Sequence, residues 1–481
     1  MPRSDFLVSR DSIPSLLGAR VVLQSVNVML QLLVSILPAA VAFLLASFVF
    51  SSLIEREKRA SLISGAFFVC LIAFWLWTES EWRAGRQLPL VLLGILSLGG
   101  LFAFFFPFPR KTVIQTLHGT GNSVVRVDER DVIFSRTDLV RGTSEYEEYY
   151  RRRPELKEVD DSLPSVSELG VPGQEMYSPH VSPLTTSASD FLESNLTFVD
   201  GPVANKGEEL APQWTSQLVK LAARRLGAEA VGIGPLEPGF VYSHVGRGPE
   251  PHGSEIKPSH PWVVCFAVQM DYDIVRGAPS PWNTVETHSC YAQVSRIGVI
   301  LAAWLRSMGY ASRAHIPGSN YQILLPPLAA LCGLGEMGRI GIMVSRSFGP
   351  RVRLGAVTTA MPLVPDSPQD YGIQDFCMSC LKCANNCPTG AIPTDGPVEI
   401  RGVKKWTISA ESCYRHWCTL GNDCGICLRV CPFSKPDTLI HDVIRGSVNT
   451  TSIGRKIAVM ADDLFYGKKP SPVELPSLTK T

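Results

Sequence analysis

Cysteines carry the clearest chemical signal in this chain, because nine of the 13 lie between Cys377 and Cys431. The first run has the spacing Cys-x2-Cys-x2-Cys-x3-Cys-Pro and ends at Cys387, and the second ends Cys-x2-Cys-x3-Cys-Pro at Cys431. In two-cluster bacterial ferredoxins, three thiolates of such a run bind one iron–sulfur cube and the fourth, before proline, binds the other. The spacing therefore predicts two [4Fe–4S] clusters that carry electrons.

The second run lacks a third cysteine at the usual upstream spacing, so either Cys413 or Cys418 must supply one ligand. We favour Cys413. The predicted ligands are then Cys377, Cys380, Cys383 and Cys431 for cluster one, and Cys387, Cys413, Cys424 and Cys427 for cluster two. Zinc and disulfides are weaker interpretations, because zinc sites do not need the Cys-Pro ending and dense disulfides are typical of small secreted domains.

The other four cysteines, Cys70, Cys265, Cys290 and Cys332, have apolar neighbours in the sequence, which predicts buried thiols.

A glycine-rich segment, Gly333 to Gly341, contains a G-x-G-x-x-G pattern. A nicotinamide site would need a preceding βαβ pattern and a later acidic residue for the ribose. Neither is evident, since no acidic residue lies between Met337 and Pro365. The glycines instead favour close backbone approach to another cofactor, or helix packing.

Three uncharged runs open the chain: Val21 to Ile54, Ser61 to Thr78 and Leu88 to Phe108. Each is near or above the ~18 apolar residues that are typical of a membrane span. They predict three transmembrane helices, and a small excess of Lys and Arg on the side of the C-terminal domain favours a cytoplasmic location for that domain.

Beyond residue 112 the pattern is that of a folded domain with helices at Leu218 to Leu226 and Tyr291 to Met308, and strands at Val263 to Met270 and Val352 to Thr358. Mixed elements of this kind predict an α/β or α+β core. By composition alone, residues 145–161 are predicted to be a surface loop or linker. The charge is balanced, with 45 basic and 44 acidic side chains, which argues against a nucleic-acid partner.

Several segments resemble the corrinoid-dependent reductive dehalogenases and, more distantly, the epoxyqueuosine reductases. They include "VDERDVIFSR", "CYAQVSRIGVILAAWLRSMGY", "GLGEMGRIG", "FGPRVRLGAV", "FCMSCLKCANNCPTGAI" and "DCGICLRVCPFSK". The resemblance covers roughly Val127 to Pro436 in chain order, so it assigns the charged stretch near residue 150 to the catalytic domain.

The resemblance implies a nitroreductase-like α/β domain that binds base-off cobalamin and is joined to a ferredoxin-like module with two [4Fe–4S] clusters. The transmembrane helices that the apolar runs predict precede this domain and are a departure from the family. The chain is divided accordingly into an N-terminal tail (1–19), three membrane helices (20–110), a lead-in segment (111–205), a corrinoid-binding core (206–370), the cluster module (371–440) and a C-terminal tail (441–481). No Asp-x-His-x-x-Gly motif is present, so no histidine is nominated as a cobalt ligand.

The activity that the resemblance implies is removal of halide from a small organohalide, with electrons from an unidentified donor, and the predicted transmembrane helices place it at a membrane. By resemblance, Tyr291 is the proton donor, Arg353 or otherwise Arg351 stabilises its phenolate, and Asn320 points into the same pocket. Ser319 and the glycines Gly335, Gly338 and Gly341 are the predicted corrinoid contacts. The alternative is that Tyr291 is a core aromatic and both arginines are solvated.

Two other functions are compatible with the sequence: cobalamin-dependent reduction of a non-halogenated substrate, as in epoxyqueuosine reductase, and a non-catalytic membrane iron–sulfur electron carrier. A pure carrier would not need the long segment between the apolar runs and Cys377. The identity of the organohalide and the formation of a homodimer are left open.

Overall fold

A computed structural model of the chain describes residues 36, 39–84, 124–165, 169–205, 209–318, 321–450 and 452–474. The chain divides into two compact units. The first consists of Met1–Phe108 with Thr438–Ile440 and Asp463–Tyr466, and the second of Pro109–Asp437, His441–Asp462 and Gly467–Thr481. The finer domain boundaries stay predictions.

Two apolar helices, α1 (Ala39–Ile54) and α2 (Lys58–Arg83), dominate the first unit. Within the described ranges one helix is long and apolar enough to cross a membrane, the segment Lys58–Thr78 with a mean hydropathy of 2.1. It coincides with the second predicted span. The described part of the first predicted span forms the shorter helix α1, and the third, Leu88 to Phe108, lies outside the described residues.

The surface of α2 is unusually apolar. Leu62, Val69 and Leu76 are 75%, 66% and 64% exposed, as expected of a helix that faces lipid rather than a protein core. Cys70 is exposed on the same helix, so the prediction of a buried thiol is wrong there, whereas Cys265, Cys290 and Cys332 are buried as predicted.

Eight strands and fourteen further helices follow within the described ranges. The strands are β1 (Ala230–Pro235), β2 (Trp262–Gln269), β3 (Ser312–His315), β4 (Gly335–Met337), β5 (Met343–Ser345), β6 (Val352–Thr359), β7 (Val398–Ile400) and β8 (Val403–Lys405). The helices are α3 (Ile133–Thr137), α4 (Ser144–Arg152), α5 (Pro154–Asp160), α6 (Ser182–Ser194), α7 (Pro212–Arg225), α8 (Tyr272–Val275), α9 (Pro281–Ser307), α10 (Leu325–Leu331), α11 (Ile373–Cys380), α12 (Lys382–Asn385), α13 (Ala410–Leu420), α14 (Ile426–Arg429), α15 (Leu439–Thr450) and α16 (Ser452–Tyr466).

The centre of the second unit is a sheet with the strand order β1-β2-β6-β3. All three strand pairings are antiparallel, so the core is of the α+β type. Side chains of β2 alternate between two apolar clusters: Val263 and Cys265 join the cluster that includes α10, and Val264 and Phe266 join the one that includes α9. Because successive residues of a strand point to opposite faces, both faces of the sheet are covered.

Helix α9 is longer than predicted, because it begins at Pro281 rather than at Tyr291. The Ser280 side chain caps it by accepting a hydrogen bond from the Asn283 N–H at 3.2 Å, and proline suits the first helical position. The first turns of the helix contain several polar residues, so a search for apolar periodicity does not detect where the helix begins. Tyr291 therefore lies in the middle of the helix.

Residues 145–161 are not the loop that their composition predicts, because they form most of α4 and α5. Tyr146, Tyr149 and Tyr150 of α4 are buried together, while charged residues and one serine occupy the other positions. Tyrosines three and four residues apart share one helix face. The buried face of this helix is thus made of phenol rings. A count of charged residues does not detect such a face, so it predicts a loop.

The G-x-G-x-x-G pattern forms a β-hairpin, in which β4 pairs antiparallel with β5. A side chain at Gly335 would collide with the Val344 carbonyl of the opposite strand, and Gly341 has a φ of +74°, a conformation that favours glycine. The hairpin itself therefore requires glycine at these positions, and neither a dinucleotide loop nor a helix is present there.

Candidate functional site

Four cysteines from both runs lie together in the second unit. Cys377 and Cys380 are on α11, Cys383 is on α12, and Cys431 follows α14. Burial raises the pKa of Cys431, and the negative charges of the other three thiolates raise it further. Because such interactions weaken with distance, the four thiols are neighbours. Cys377, Cys380 and Cys431 also pack against one apolar cluster around Phe376.

A second group of four thiols consists of Cys387, Cys413, Cys424 and Cys427. Burial raises the pKa of Cys413 to about 11, with further contributions from the charges of Cys424 and Cys387. The pKa of Cys427 is raised by burial and then by the charges of Cys424, Cys383, Cys413 and Cys387, so Cys427 lies near the other three thiols of this group and also near Cys383 of the first group. The Cys-Pro residue of each run thus lies with the three thiols of the other run's group.

Cys418 lies apart from both groups. It is five residues after Cys413 on α13, which at about 100° per residue places it roughly 140° away around the helix. It packs instead with Ile133, Leu163 and Tyr414. The structure therefore brings Cys413, and not Cys418, to the second group.

The donor set fits two iron–sulfur cubes. Each group offers four thiols, and thiolate is the ligand of [4Fe–4S] clusters. Within the described ranges, no three His, Cys, Asp or Glu side chains form a group that could hold a single metal ion. The fit to the cubes rests on the number and the type of the donors in each group.

Beside the second group, the structure pairs Arg353 of β6 with Tyr291 of α9. The guanidinium carbon of Arg353 lies 5.2 Å from the centre of the Tyr291 ring. Its Nη2 donates a hydrogen bond to Thr287 Oγ1 at 2.9 Å and lies 4.0 Å from Asp423 Oδ2. Burial acts to lower the pKa of Arg353, but the charges of Tyr291 and Asp423 outweigh it and raise that pKa.

One face of α9 connects this pair to the cysteine module. Thr284, Thr287 and Tyr291 recur at intervals of three and four residues, so they lie on the same side of the helix. Thr284 Oγ1 donates to Asn422 Oδ1 at 2.6 Å and accepts from the Asp423 N–H at 3.2 Å. The residues immediately before Cys424 are therefore fixed against the tyrosine-bearing helix.

Arg351 does not join this pair. Its side chain is fully buried, its Nε donates to Ser434 O at 2.6 Å, and its Nη1 donates to Met270 O at 2.5 Å. Burial lowers its pKa to about 10. Of the two arginines that the resemblance nominates, the structure places Arg353 beside Tyr291 and Arg351 beside the loop that follows Cys431. Neither is solvated, because Arg353 is only 16% exposed.

The other predicted site residues are less informative. Ser319 and Asn320 lie outside the described residues. Gly335, Gly338 and Gly341 are in the β4–β5 hairpin, whose own geometry explains them, so a corrinoid contact there stays a prediction.

Sequence reasoning missed Thr287, Asp423 and Arg339. Asp423 directly precedes Cys424, and Arg339 lies inside the glycine pattern. The position of each residue within a motif could therefore have marked it as a candidate site residue. Thr287 gives no such signal, because a threonine within a helix is common.

A family model for the 4Fe-4S dicluster domain matches residues 376–435. This confirms the prediction of a two-cluster module. The tetrachloroethene reductive dehalogenase of Sulfurospirillum multivorans is 31% identical over 300 residues, covering 55% of this chain and 59% of the relative. That of Dehalobacter restrictus is 31% identical over 279 residues, covering 48% of this chain and 50% of the relative. The chain thus spans about half the length of the curated relatives it matches.

The fold has solved counterparts. A catabolic reductive dehalogenase in complex with 3-bromo-4-hydroxybenzoic acid aligns with a TM-score of 0.60 at 23% identity, covering 76% of this chain and 49% of that chain. The epoxyqueuosine reductase of Lactococcus garvieae is 34% identical, but over only 113 residues, which are 22% of this chain and 31% of the relative. The chain is therefore similar in sequence and in fold to the reductive dehalogenases, and its residues 376–435 form a 4Fe–4S dicluster domain.

Proposed function

We propose that this chain is a corrinoid- and iron–sulfur-dependent reductive dehalogenase that removes halide from a small organohalide. The observation that carries the proposal is the shared face of α9, which holds a half-buried Tyr–Arg pair next to the loop of Cys424. A proton donor and an electron-carrying centre in such proximity suit a reaction that consumes both protons and electrons.

We assign the cluster ligands as the two thiol groups. Cluster one is bound by Cys377, Cys380, Cys383 and Cys431, and cluster two by Cys387, Cys413, Cys424 and Cys427. The charge effects on Cys413 and Cys431 support this assignment, because the thiols that act on each of them belong to its own group.

The residues near Tyr291 also fit a bound ligand. The Nε of Arg353 is buried and has no hydrogen-bond partner. An unsatisfied buried N–H costs about 1–3 kcal/mol, so such a donor usually has an acceptor in the working protein. We propose that Tyr291 and Arg353, together with Ser319 and Asn320, line the site for the corrinoid and the organohalide.

The corrinoid, when bound, supplies reductive cleavage of the carbon–halogen bond with electrons that arrive through the two clusters. The chain's own part is protonation of the carbon that has lost halide. The Tyr291 hydroxyl donates that proton, and Arg353 stabilises the resulting phenolate because a nearby positive charge favours the ionised form. Thr287 and Asp423 hold Arg353 in place through one hydrogen bond and one ion pair.

The alternatives are less well supported. Similarity to epoxyqueuosine reductase covers about a fifth of the chain, 22%, and the balanced charge offers no obvious attraction for tRNA. A simple electron carrier would not need the half-buried Tyr–Arg pair.

Extraction of the cofactors tests the proposal. Protein purified without oxygen, from cells supplied with cobalamin, should contain one corrinoid per chain together with the iron and sulfide of two clusters. Iron and sulfide without corrinoid would contradict the dehalogenase proposal and favour the electron carrier.

We further propose that the chain is a multi-pass membrane protein with its catalytic domain in the cytoplasm, where a separate low-potential donor supplies electrons. The apolar surface of α2 and the two flanking apolar runs support the membrane location. A topology reporter fused after Thr481 tests the orientation, and a periplasmic signal would contradict it.

Deleting residues 1–109 should move the protein from the membrane fraction to the soluble fraction without loss of cluster iron, because none of the proposed ligands lies in that segment. Phe465 packs against Phe48 with ring centroids 4.8 Å apart, so the deletion exposes an apolar ring. The same deletion combined with Phe465→Ser therefore controls for aggregation. Sedimentation of both truncated proteins with membranes would show that another part of the chain holds them there.

A further inference from the structure

Two arginines stand out because they are the largest fully buried side chains in the described structure: Arg339, 1% exposed, and Arg351, 0% exposed. Arg339 lies in the turn of the β4–β5 hairpin, between two of the motif glycines. Such burial of a guanidinium is costly unless its charge is compensated.

Backbone carbonyls surround the Arg339 guanidinium. Its Nε and Nη2 donate to Cys377 O at 3.0 and 2.9 Å, and its Nη1 donates to Pro393 O at 2.8 Å and Asp395 O at 2.7 Å. The Trp406 ring covers it at 5.1 Å and is itself buried. The cation therefore joins the backbone of a proposed cluster-one ligand to the loop that follows Cys387.

No carboxylate lies within 4.0 Å of either guanidinium among the residues that the structure describes. This distinguishes them from Lys382, which is also buried in the cluster module but forms an ion pair with Asp462. Glu336 of the same hairpin forms no ion pair with Arg339; its carboxylate accepts hydrogen bonds from the N–H groups of Ile373 and Gln374 at 3.3 and 3.0 Å.

Arg351 lies near the same group of thiols, beside the loop that follows Cys431 in the second cysteine run. It donates to Ser434 O, three residues after Cys431, and its guanidinium lies 5.4 Å from the centre of the Tyr272 ring. Both arginines, neither of which forms an ion pair, thus contact backbone that carries, or closely follows, proposed ligands of cluster one. The charge of Asp271 acts on Arg351 from beyond ion-pair distance.

We propose that Arg339 and Arg351 are fixed counter-charges of cluster one, which raise its reduction potential. A [4Fe–4S] cube with four thiolates is anionic, and it gains one further negative charge when it accepts one electron. A fixed positive charge stabilises the reduced form more than the oxidised form, and net charge and burial are among the quantities that set cluster potentials. The hairpin with the glycine pattern then serves to deliver Arg339 to the cluster.

The inference rests on the two-cluster part of the proposed function and not on its substrate. It is tested by redox titration with dithionite, followed by electron paramagnetic resonance, on the full-length protein without organohalide. Arg339→Gln removes the charge and keeps hydrogen-bond donors. We expect it to shift the reduced-to-oxidised equilibrium of cluster one at least tenfold towards the oxidised form, which is about 59 mV for one electron. Arg351→Gln should shift it in the same direction.

Two variants separate the charge from its packing. Arg339→Lys keeps the charge and should leave the potential closer to the parental value than Arg339→Gln does. Arg306→Gln is the matched control, because Arg306 is also buried, at 6% exposed, and donates to the carbonyls of Val199, Ser312 and Phe198. It should leave both cluster potentials at their parental values.

A parental cluster-one potential in Arg339→Gln would overturn the proposal, as would an equal shift in Arg306→Gln. If Arg339→Gln does not assemble cluster one, Arg339→Lys is the deciding variant. An assembled cluster near the parental potential in Arg339→Lys would support a role of the charge. Loss of the cluster in both variants would overturn that role and show that Arg339 is needed only for assembly of the cluster. A shifted potential in a protein without dehalogenase activity would uphold this inference while contradicting the proposed substrate chemistry.

Discussion

Tyr291→Phe is expected to lower the rate of dehalogenation by about 10²–10⁴-fold, the usual effect of removing a general acid. The substitution keeps the ring beside Arg353 and removes only the hydroxyl, so corrinoid and iron content should stay at the parental level. The adjacent guanidinium lies where it would stabilise the phenolate that remains after the proton is donated.

The control for this variant is Tyr371→Phe. Tyr371 donates a hydrogen bond to Gly333 O at 3.2 Å, so the change removes one tyrosine hydroxyl from the same unit at a cost of about 1 kcal/mol in stability. It should keep most of the activity. A Tyr291→Phe protein that turns over organohalide at the parental rate, with its cofactors bound, would show that Tyr291 is only a packing residue.

Arg353→Ala extends the test to the second member of the pair. We expect it to slow the same proton transfer, so combining it with Tyr291→Phe should cost much less than the product of the two single losses. Fully multiplicative losses would mean that Arg353 acts on a different step.

Cys413→Ala is expected to abolish cluster two, whereas Cys418→Ala should leave both clusters intact. The two thiols are on the same helix, so the pair is closely matched. Iron content should fall from about eight to about four atoms per chain in the first variant only. Because Cys387 belongs to the same group, Cys387→Ala should damage the same cluster as Cys413→Ala, although its neighbours in the sequence bind the other one.

Electron paramagnetic resonance of the reduced proteins distinguishes the outcomes. Loss of a cluster in Cys418→Ala with both signals retained in Cys413→Ala would reverse the choice of ligand. Retention of both signals at full intensity in Cys387→Ala would contradict the crossing of the Cys-Pro thiolates between clusters.

The cysteine module was predictable because its ligands are set by local spacing, which a sequence displays directly. The choice between Cys413 and Cys418 was harder, since both are upstream at plausible distances. It depends on the helical geometry of α13, which turns one thiol towards Cys424 and the other towards Tyr414. Spacing therefore left two candidates for the remaining ligand of cluster two, and the structure places only Cys413 near the other three thiols of that group.

The sequence does not show which of Arg351 and Arg353 lies beside Tyr291. Arg351 and Arg353 are two residues apart on extended chain, where alternation puts both on one side. The structure separates them through tertiary partners: Met270 and Ser434 for one, Thr287 and Asp423 for the other. The glycine pattern was likewise ambiguous, because glycine is compatible with a cofactor loop, helix packing or a tight hairpin, and the pairing of β4 with β5 identifies the last.

The most direct test of the proposed function is the release of halide by the full chain. Protein purified with cobalamin and both clusters is incubated without oxygen with a reduced viologen and a chlorinated or brominated substrate, and halide and dehalogenated product are measured together. We expect one halide ion for each molecule of product, at a rate that depends on corrinoid content and falls in Tyr291→Phe. The proposed function would be contradicted if protein with full cofactor content released no halide from any class of organohalide. It would also be contradicted if Tyr291→Phe released halide at the same rate as the parental protein.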